Sequence, residues 1–201
     1  MHTYTFHIGE FNTAVAGKEK DDVQSVSDYW VATEVLPVHV SMPGSSGTLR
    51  EEGLKMHAMF GMIKSERDFD WAFNYAKNSG MLSDNIYWNE ERVLELFETI
   101  KASEQLSSWF DDDNICYNER NISFPGKDGI DHRRPDHIVK RSNGEIIIVD
   151  YKFGYSFRSS TIANHTSQVH DYLQLLNQLG ENNVKGYVWY VRSGKIVDVK
   201  L

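Results

Sequence analysis

Hydrophobic positions follow a helical period in the middle of this chain and a strand pattern after it. Between residues 49 and 110 apolar residues recur every three or four positions, which predicts a series of helices. Ser65 and Gly80 are the expected start and end of one of them. A further helix is predicted over 89–102. Its apolar stripe is expected to consist of Val93, Leu94, Phe97 and Ile100.

After residue 114 the pattern favours strands. A loop rich in aromatic, arginine and serine residues is expected over 153–164, followed by a helix over about 166–179 that ends at Gly180. The predicted strands are about 115–124, 135–141, 145–151, 186–192 and 195–200. Helices followed by a strand meander, a helix and a closing hairpin indicate an α/β domain with a central mixed β-sheet flanked by helices.

The chain divides near residue 48. Residues 43–47 read Pro-Gly-Ser-Ser-Gly, a typical flexible joint. We therefore expect a main domain over 48–201. Residues 1–47 carry short apolar pieces typical of strands, and they are interpreted as a β-rich segment that could be the tail of an upstream domain.

The strongest chemical signal lies around the strand predicted over 145–151. Four aliphatic residues precede Asp150, and Asp150 and Lys152 are two positions apart, so they point to the same face of a strand. Ser-Asn-Gly at 142–144 predicts a tight turn that brings the preceding strand, with Asp136 at its start, back beside Asp150. Two carboxylates and a lysine are therefore expected at one end of the sheet. Carboxylate oxygens suit Mg²⁺ or Mn²⁺.

Two alternatives remain open at this point. An Asp-x-Lys pair at a strand end is often only a surface ion pair, so Asp150 and Lys152 are a weak signal by themselves. Asp131 is a rival for the first carboxylate, although Asp136 is favoured because it follows Pro135 and leads into the predicted strand. Glu119, on the strand before, is equally readable as a site residue or as a structural ion pair.

Four segments in the same order resemble the RecB-type PD-(D/E)XK nuclease domain, which stands at the C-terminus of UvrD/RecB/AddA-like helicase–nucleases. The resemblance covers about residues 48–201. The segments are 53–57 (Gly-Leu-Lys-Met-His), 134–136 (Arg-Pro-Asp), 149–154 (Val-Asp-Tyr-Lys-Phe-Gly) and 168–172 (Gln-Val-His-Asp-Tyr). The resemblance implies a restriction-endonuclease-like core.

The resemblance also implies a metal site. His57, Asp136, Asp150 and the backbone carbonyl of Tyr151 would hold Mg²⁺ or Mn²⁺. Without the resemblance, a lone histidine on a helix such as His57 is more often a packed core residue than a ligand.

The remaining motif residues have implied catalytic roles. Lys152 would position or deprotonate the attacking water, and Gln168 and Tyr172, four positions apart on one helix face, would place the scissile phosphate. The implied activity is that of a metal-dependent deoxyribonuclease, more specifically an exonuclease, acting in DNA end processing and recombinational repair. The implied partners are DNA, as single strands or duplex ends, and a helicase domain or subunit upstream.

Composition narrows these expectations. The net charge of −8 and pI near 5.5 disfavour a tight non-specific DNA binder acting alone. A single cysteine, Cys116, excludes a four-cysteine iron–sulfur cluster, and no P-loop for ATP occurs in the sequence. No apolar run is long enough to span a membrane and no signal peptide is evident, so a cytoplasmic protein without membrane partners is expected.

Two further functions stay open. The acidic charge motivates a catalytically silent DNA-binding or scaffolding module of the same fold. The alternative of a stand-alone phage or restriction-type nuclease depends on how residues 1–42 pack.

Overall fold

A computed structural model describes residues 49–82, 87–125, 129–154 and 159–201. The expected β-rich segment over 1–47 lies outside the described residues. The helices are α1 (Leu49–Phe60), α2 (Phe69–Asn78), α3 (Glu90–Ala102), α4 (Glu104–Ser107) and α5 (Ser159–Gln178). The strands are β1 (Ile115–Asn118), β2 (Ile122–Pro125), β3 (Ile130–Arg133), β4 (His137–Lys140), β5 (Ile146–Lys152), β6 (Val184–Tyr190) and β7 (Lys195–Val199).

Five of the strands form one mixed sheet in the order β1-β4-β5-β6-β7. The pair β5 and β6 is parallel, and the other neighbours are antiparallel. Parallel neighbours need a crossover, and α5 supplies it between β5 and β6. The strands β2 and β3 form a separate antiparallel ribbon. The expectation of an α/β fold with a central mixed sheet and helices is therefore confirmed.

The sheet separates two hydrophobic cores, and β5 contributes to both. Ile147, Val149 and Tyr151 belong to the core formed with α1–α4, whereas Ile146 and Ile148 belong to the core formed with α5. This alternation follows from the two-residue period of a strand. Both faces of β5 are covered, which explains why its sequence reads as a continuous aliphatic run.

The helix α5 packs closely on β6 because a glycine stands under it. A Cβ atom at Gly186 would lie 2.6 Å from Cγ1 of Val169 and 2.8 Å from Cδ1 of Leu173. Any other residue type at this position would force the side chains of Val169 and Leu173 to shift. The side chains that α5 presents to the site are therefore held at a short distance from the sheet.

Three local expectations were wrong. The strand expected over 115–124 is two strands, because Glu119 has a φ of +50° and interrupts it. The helix expected from about 166 begins at Ser159, so the loop before it is shorter. In α3 the buried stripe contains Leu96, whereas Leu94 is 46% exposed.

Candidate metal centre

The adjacent strands β4 and β5 bring Asp136 to Asp150 and Lys152. Asp136 immediately precedes β4, and Val149 pairs with His137 in the register of the two strands. The backbone amide of Tyr151 donates a hydrogen bond of 2.7 Å to Oδ2 of Asp136. The peptide between Asp150 and Tyr151 is therefore hydrogen-bonded to the carboxylate of Asp136.

The rival carboxylate lies elsewhere. Asp131 is exposed and belongs to β3, where it pairs with Phe124 in the two-stranded ribbon. The structure thus brings Asp136, and not Asp131, into contact with β5.

His57 approaches the same carboxylate from the helical side. Its Nδ1 lies 3.7 Å from Oδ2 of Asp136. The edge of its ring packs against Phe153, at 4.9 Å between centroids and an interplanar angle of 84°. The side chain keeps 30% of its surface exposed. It is therefore a partly accessible group directed at Asp136, unlike a core histidine.

Glu119 completes a cluster that the sequence left undecided. One ligand atom from each of His57, Glu119 and Asp136 can be chosen so that all lie within 4.8 Å of one another. The backbone amide of Glu119 donates to the carbonyl of Asp136 at 3.0 Å, and its Oε2 lies 3.0 Å from Nε of Arg134. Glu119 therefore lies in the cluster and also forms an ion pair with Arg134, so the two interpretations of this residue do not exclude each other.

The backbone of Glu119 is unusual for a glutamate. A φ of +50° falls in the left-handed region, which costs a residue with a Cβ about 1 kcal/mol or more. Such conformations persist where surrounding contacts enforce them, and they are concentrated at functional sites. No periodicity in the sequence could signal this bend.

Asp150 is held differently from the three clustered residues. Its Oδ2 lies 2.5 Å from Nζ of Lys152, and the carboxylate is almost fully buried, with 2% of its side chain exposed. Among the expected ligands, the side chains of His57, Asp136 and Asp150 thus differ by one residue from the cluster of His57, Glu119 and Asp136. Asp150 is nevertheless close enough to Asp136 for the charge of Asp136 to raise the pKa of Asp150.

Burial raises the pKa values of Asp136 and Asp150. Desolvation is the main cause that raises the pKa of Asp136 to about 6, and the charge of Glu119 adds to it, although the amide of Tyr151 acts in the opposite direction. Desolvation and then the charge of Asp136 raise the pKa of Asp150 to about 6, against the opposing effect of Lys152. Carboxylates held together at such a cost are typical of functional sites.

The histidine is neutral at physiological pH. Desolvation, followed by the positive charge of Lys152, lowers the pKa of His57 to about 4. A neutral imidazole offers a lone pair to a cation. One nitrogen and several carboxylate oxygens form a donor set that fits a divalent cation such as Mn²⁺ or Mg²⁺.

Gln168 and Tyr172 lie together on α5, as their spacing predicts. The Nε2 atom of Gln168 donates to the hydroxyl of Tyr172 at 2.8 Å, and that hydroxyl lies 3.5 Å from the carbonyl of Arg134. Arg134 is two residues before Asp136 in the chain. These contacts tie α5 to the segment that carries the first carboxylate.

A cleft of about 360 Å³ opens beside Lys152. Its lining includes Arg50, Leu54 and His165, the last on α5 one turn before Gln168. Nδ1 of His165 lies 3.0 Å from the hydroxyl of Tyr190. Sequence analysis missed His165, because a histidine in a helix three residues before a motif carries no signal of its own.

No protein-family model and no curated protein sequence matches this chain. Within the described ranges, no helix is long and apolar enough to cross a bilayer.

Proposed function

We propose that this chain is a metal-dependent deoxyribonuclease of the PD-(D/E)XK type, resembling the RecB-type nuclease domains. The observation that carries the proposal is the hydrogen bond from the amide of Tyr151 to Asp136, which sets Asp136 beside Asp150 and Lys152. The cluster of His57, Glu119 and Asp136 supports a cation site beside this group. A structural ion pair alone would need neither the second aspartate nor the histidine.

A divalent cation held by Asp136, Asp150 and His57 would lower the pKa of water and polarise a phosphoryl oxygen. Glu119 is a further candidate ligand. The backbone carbonyl of Tyr151 is the remaining donor implied by the resemblance. The raised pKa values of the two aspartates support this role, because a cation would stabilise the ionised carboxylates that burial, and then the neighbouring negative charges, disfavour.

Lys152 is the residue that acts on the reacting groups. Its ammonium is held in place by Asp150, at 2.5 Å, and only 21% of its side chain is exposed. It orients the attacking water and offsets negative charge that develops on the phosphate. Water forms the new bond to phosphorus and loses a proton to solvent, while the bond to the leaving oxygen breaks and that oxygen takes up a proton from solvent.

Gln168 and Tyr172 are proposed to position the phosphate. The hydroxyl of Tyr172 receives a hydrogen bond from Gln168, so the orientation of each side chain depends on the other. A phosphate oxygen beside them would accept from the second hydrogen of the Gln168 amide. Loss of either residue should therefore affect substrate binding more than metal binding.

The proposed substrate is DNA with accessible single strands or duplex ends. The proposed setting is a helicase–nuclease that processes DNA ends for recombinational repair, with a helicase domain or subunit feeding strands to this site. Such a partner would reconcile DNA binding with the net charge of −8, because the partner would supply most of the cationic contacts to phosphate.

The test is cleavage of end-labelled linear DNA, single-stranded and double-stranded, with Mg²⁺, with Mn²⁺ and with EDTA. We expect degradation that requires the metal and disappears in Lys152→Met. Cleavage that is undiminished in EDTA would contradict the mechanism.

A silent scaffold of the same fold is the second candidate, and the acidic charge favours it. Mn²⁺ titration separates the two functions. A chain that neither cleaves DNA nor binds Mn²⁺ would support the scaffold. A chain that binds Mn²⁺ but cleaves only when tethered to a DNA-delivering helicase would support the nuclease.

A further inference from the structure

Asn118, which is half-buried, and His137, which is buried, form a polar pair beside the proposed metal centre. They are register partners at the end of β1 and the start of β4. Nδ1 of His137 lies 2.5 Å from Oδ1 of Asn118, and its Nε2 lies 3.2 Å from the carbonyl of Trp109. The imidazole is completely buried. A buried imidazole has a high cost unless its polar atoms are hydrogen-bonded.

The amide of Asn118 is fixed by the end of α1. Its Nδ2 donates to three backbone carbonyls, those of Phe60 at 3.4 Å, Gly61 at 3.1 Å and Ile63 at 2.7 Å. The opposite orientation of the amide would place an oxygen against three oxygens, so only Oδ1 can face His137. Both ring nitrogens of His137 therefore face acceptor oxygens, Oδ1 of Asn118 and the carbonyl of Trp109, and a neutral ring can donate to only one of them.

This pair touches the three segments that carry the clustered residues His57, Glu119 and Asp136. The carbonyls that Asn118 binds follow His57 by three to six residues, at the end of the helix that carries it. Glu119 directly follows Asn118, and Asp136 directly precedes His137. The bonds of one amide therefore connect the carrier of the histidine ligand to the carriers of both carboxylates.

We infer that Asn118 and His137 are positioning residues that set α1, and with it His57, at the distance from Asp136 that a cation requires. This inference rests on the proposed function, because it assumes a cation at that site. Metal ligands must lie within a few tenths of an ångström of their ideal distances, and groups that orient them typically change metal affinity by about 10- to 100-fold.

A positioning role and a purely structural role of Asn118 predict different losses of Mn²⁺ affinity when His57 is absent. If Asn118 acts by placing His57, its replacement should weaken Mn²⁺ binding only while His57 is present. If Asn118 merely supports the fold, the loss of affinity should be the same with and without His57. A double-mutant cycle measures this difference directly.

The experiment measures Mn²⁺ affinity from the electron paramagnetic resonance signal of free Mn²⁺, in the whole chain. The four proteins are the wild type, Asn118→Ala, His57→Ala and the double variant. We expect Asn118→Ala to weaken binding about tenfold in the wild-type background and less than twofold in the His57→Ala background.

A matched control accounts for lost stability. Val93 is fully buried in α3, a helix that carries neither the pair nor a candidate ligand, so Val93→Ala should lower the melting temperature while leaving Mn²⁺ affinity unchanged. If Asn118→Ala does not fold, Asn118→Ser replaces it in the cycle, because a serine hydroxyl can still donate to one of the carbonyls at the end of α1.

The outcomes distinguish this inference from the proposed function. Unchanged Mn²⁺ affinity in Asn118→Ala, or an equal loss in both backgrounds, overturns the positioning role and leaves the nuclease proposal standing. A wild-type chain that binds no Mn²⁺ overturns the metal centre, and the positioning role with it.

Discussion

The backbone amide of Tyr151 donates a hydrogen bond of 2.7 Å to Oδ2 of Asp136. This bond joins β5, between Asp150 and Lys152, to the carboxylate that precedes β4. The donor is the main chain of β5 and the acceptor is the side chain of Asp136. The bond therefore fixes the orientation of the Asp136 carboxylate relative to Asp150 and Lys152.

Lys152→Met should abolish DNA cleavage and leave Mn²⁺ binding largely intact, because Lys152 acts on water and phosphate and is not a ligand. The measurements are degradation of end-labelled DNA and Mn²⁺ titration. Lys185→Met is the matched control. It removes a similar ion pair, 2.6 Å from Glu145, near the opposite end of the sheet, and it should retain activity. Wild-type cleavage by Lys152→Met would contradict the mechanism.

Asp136→Asn should stabilise the metal-free protein at about pH 7.5. The folded-state pKa of Asp136 is raised from 3.8 to about 6, so its ionisation destabilises the fold progressively from about pH 4, with the full effect above about pH 6. The side chain is 15% exposed, and after allowance for screening we expect a gain of about 1–2 kcal/mol, or a few degrees in melting temperature.

Two features of that experiment check its cause. The gain should shrink as the pH is lowered towards 4, because Asp136 then becomes protonated in the folded wild type as well. In the presence of Mn²⁺ the order should reverse, since only the wild type is stabilised by the cation. A melting temperature of Asp136→Asn below that of the wild type in EDTA would be incompatible with this account.

Metal affinity should fall as the pH drops below about 6. Protons then compete with the cation for Asp136 and Asp150, whose pKa values are both about 6 and which titrate as a coupled pair. We expect a loss of up to about tenfold per pH unit for each carboxylate that takes up a proton. His57, with a pKa of about 4, should not contribute until lower pH. A pH-independent affinity between about 7 and 5 would rule out these ligands.

Glu119→Gln should weaken Mn²⁺ binding about tenfold if Glu119 is a ligand. The ion pair with Arg134 is a confounding contact, at 3.0 Å, and Arg134→Gln removes it while leaving the carboxylate in place. Arg134→Gln should keep or slightly raise the affinity, because a competing positive charge is lost. Equal losses in the two variants would assign Glu119 a structural role only.

Gly186→Ala should destabilise the fold by about 1–3 kcal/mol, because the new methyl group would overlap the side chains of Val169 and Leu173. Gly154→Ala is the control, since a Cβ at Gly154 would meet nothing within 4 Å. Thermal melts measure both. A variant Gly186→Ala that folds should also bind DNA more weakly, because the displacement of α5 moves Gln168 and Tyr172.

Several relationships within the site follow from short segments of the sequence. The aliphatic run of β5 and the Ser-Asn-Gly turn before it predict a hairpin, and the two-residue period of a strand places Asp150 and Lys152 on one face. Likewise, the spacing of Gln168 and Tyr172 predicts their shared helix face, where the structure has them in contact. These relationships depend on neighbours in the chain, so periodicity and turn chemistry are sufficient to predict them.

Other relationships depend on packing between distant segments, and only the tertiary structure decided them. The place of Glu119 in the cluster follows from a left-handed backbone and from its bond to the carbonyl of Asp136. The pair of Asn118 and His137 joins β1 and β4 to the end of α1, more than 50 residues away in the chain. By itself, then, the sequence determined the presence of a mixed sheet, the hairpin of β4 and β5, and the placing of Asp136, Asp150 and Lys152 at one end of that hairpin. The approach of α1 and the bend at Glu119 needed the three-dimensional packing, because no local pattern specifies contacts between remote segments.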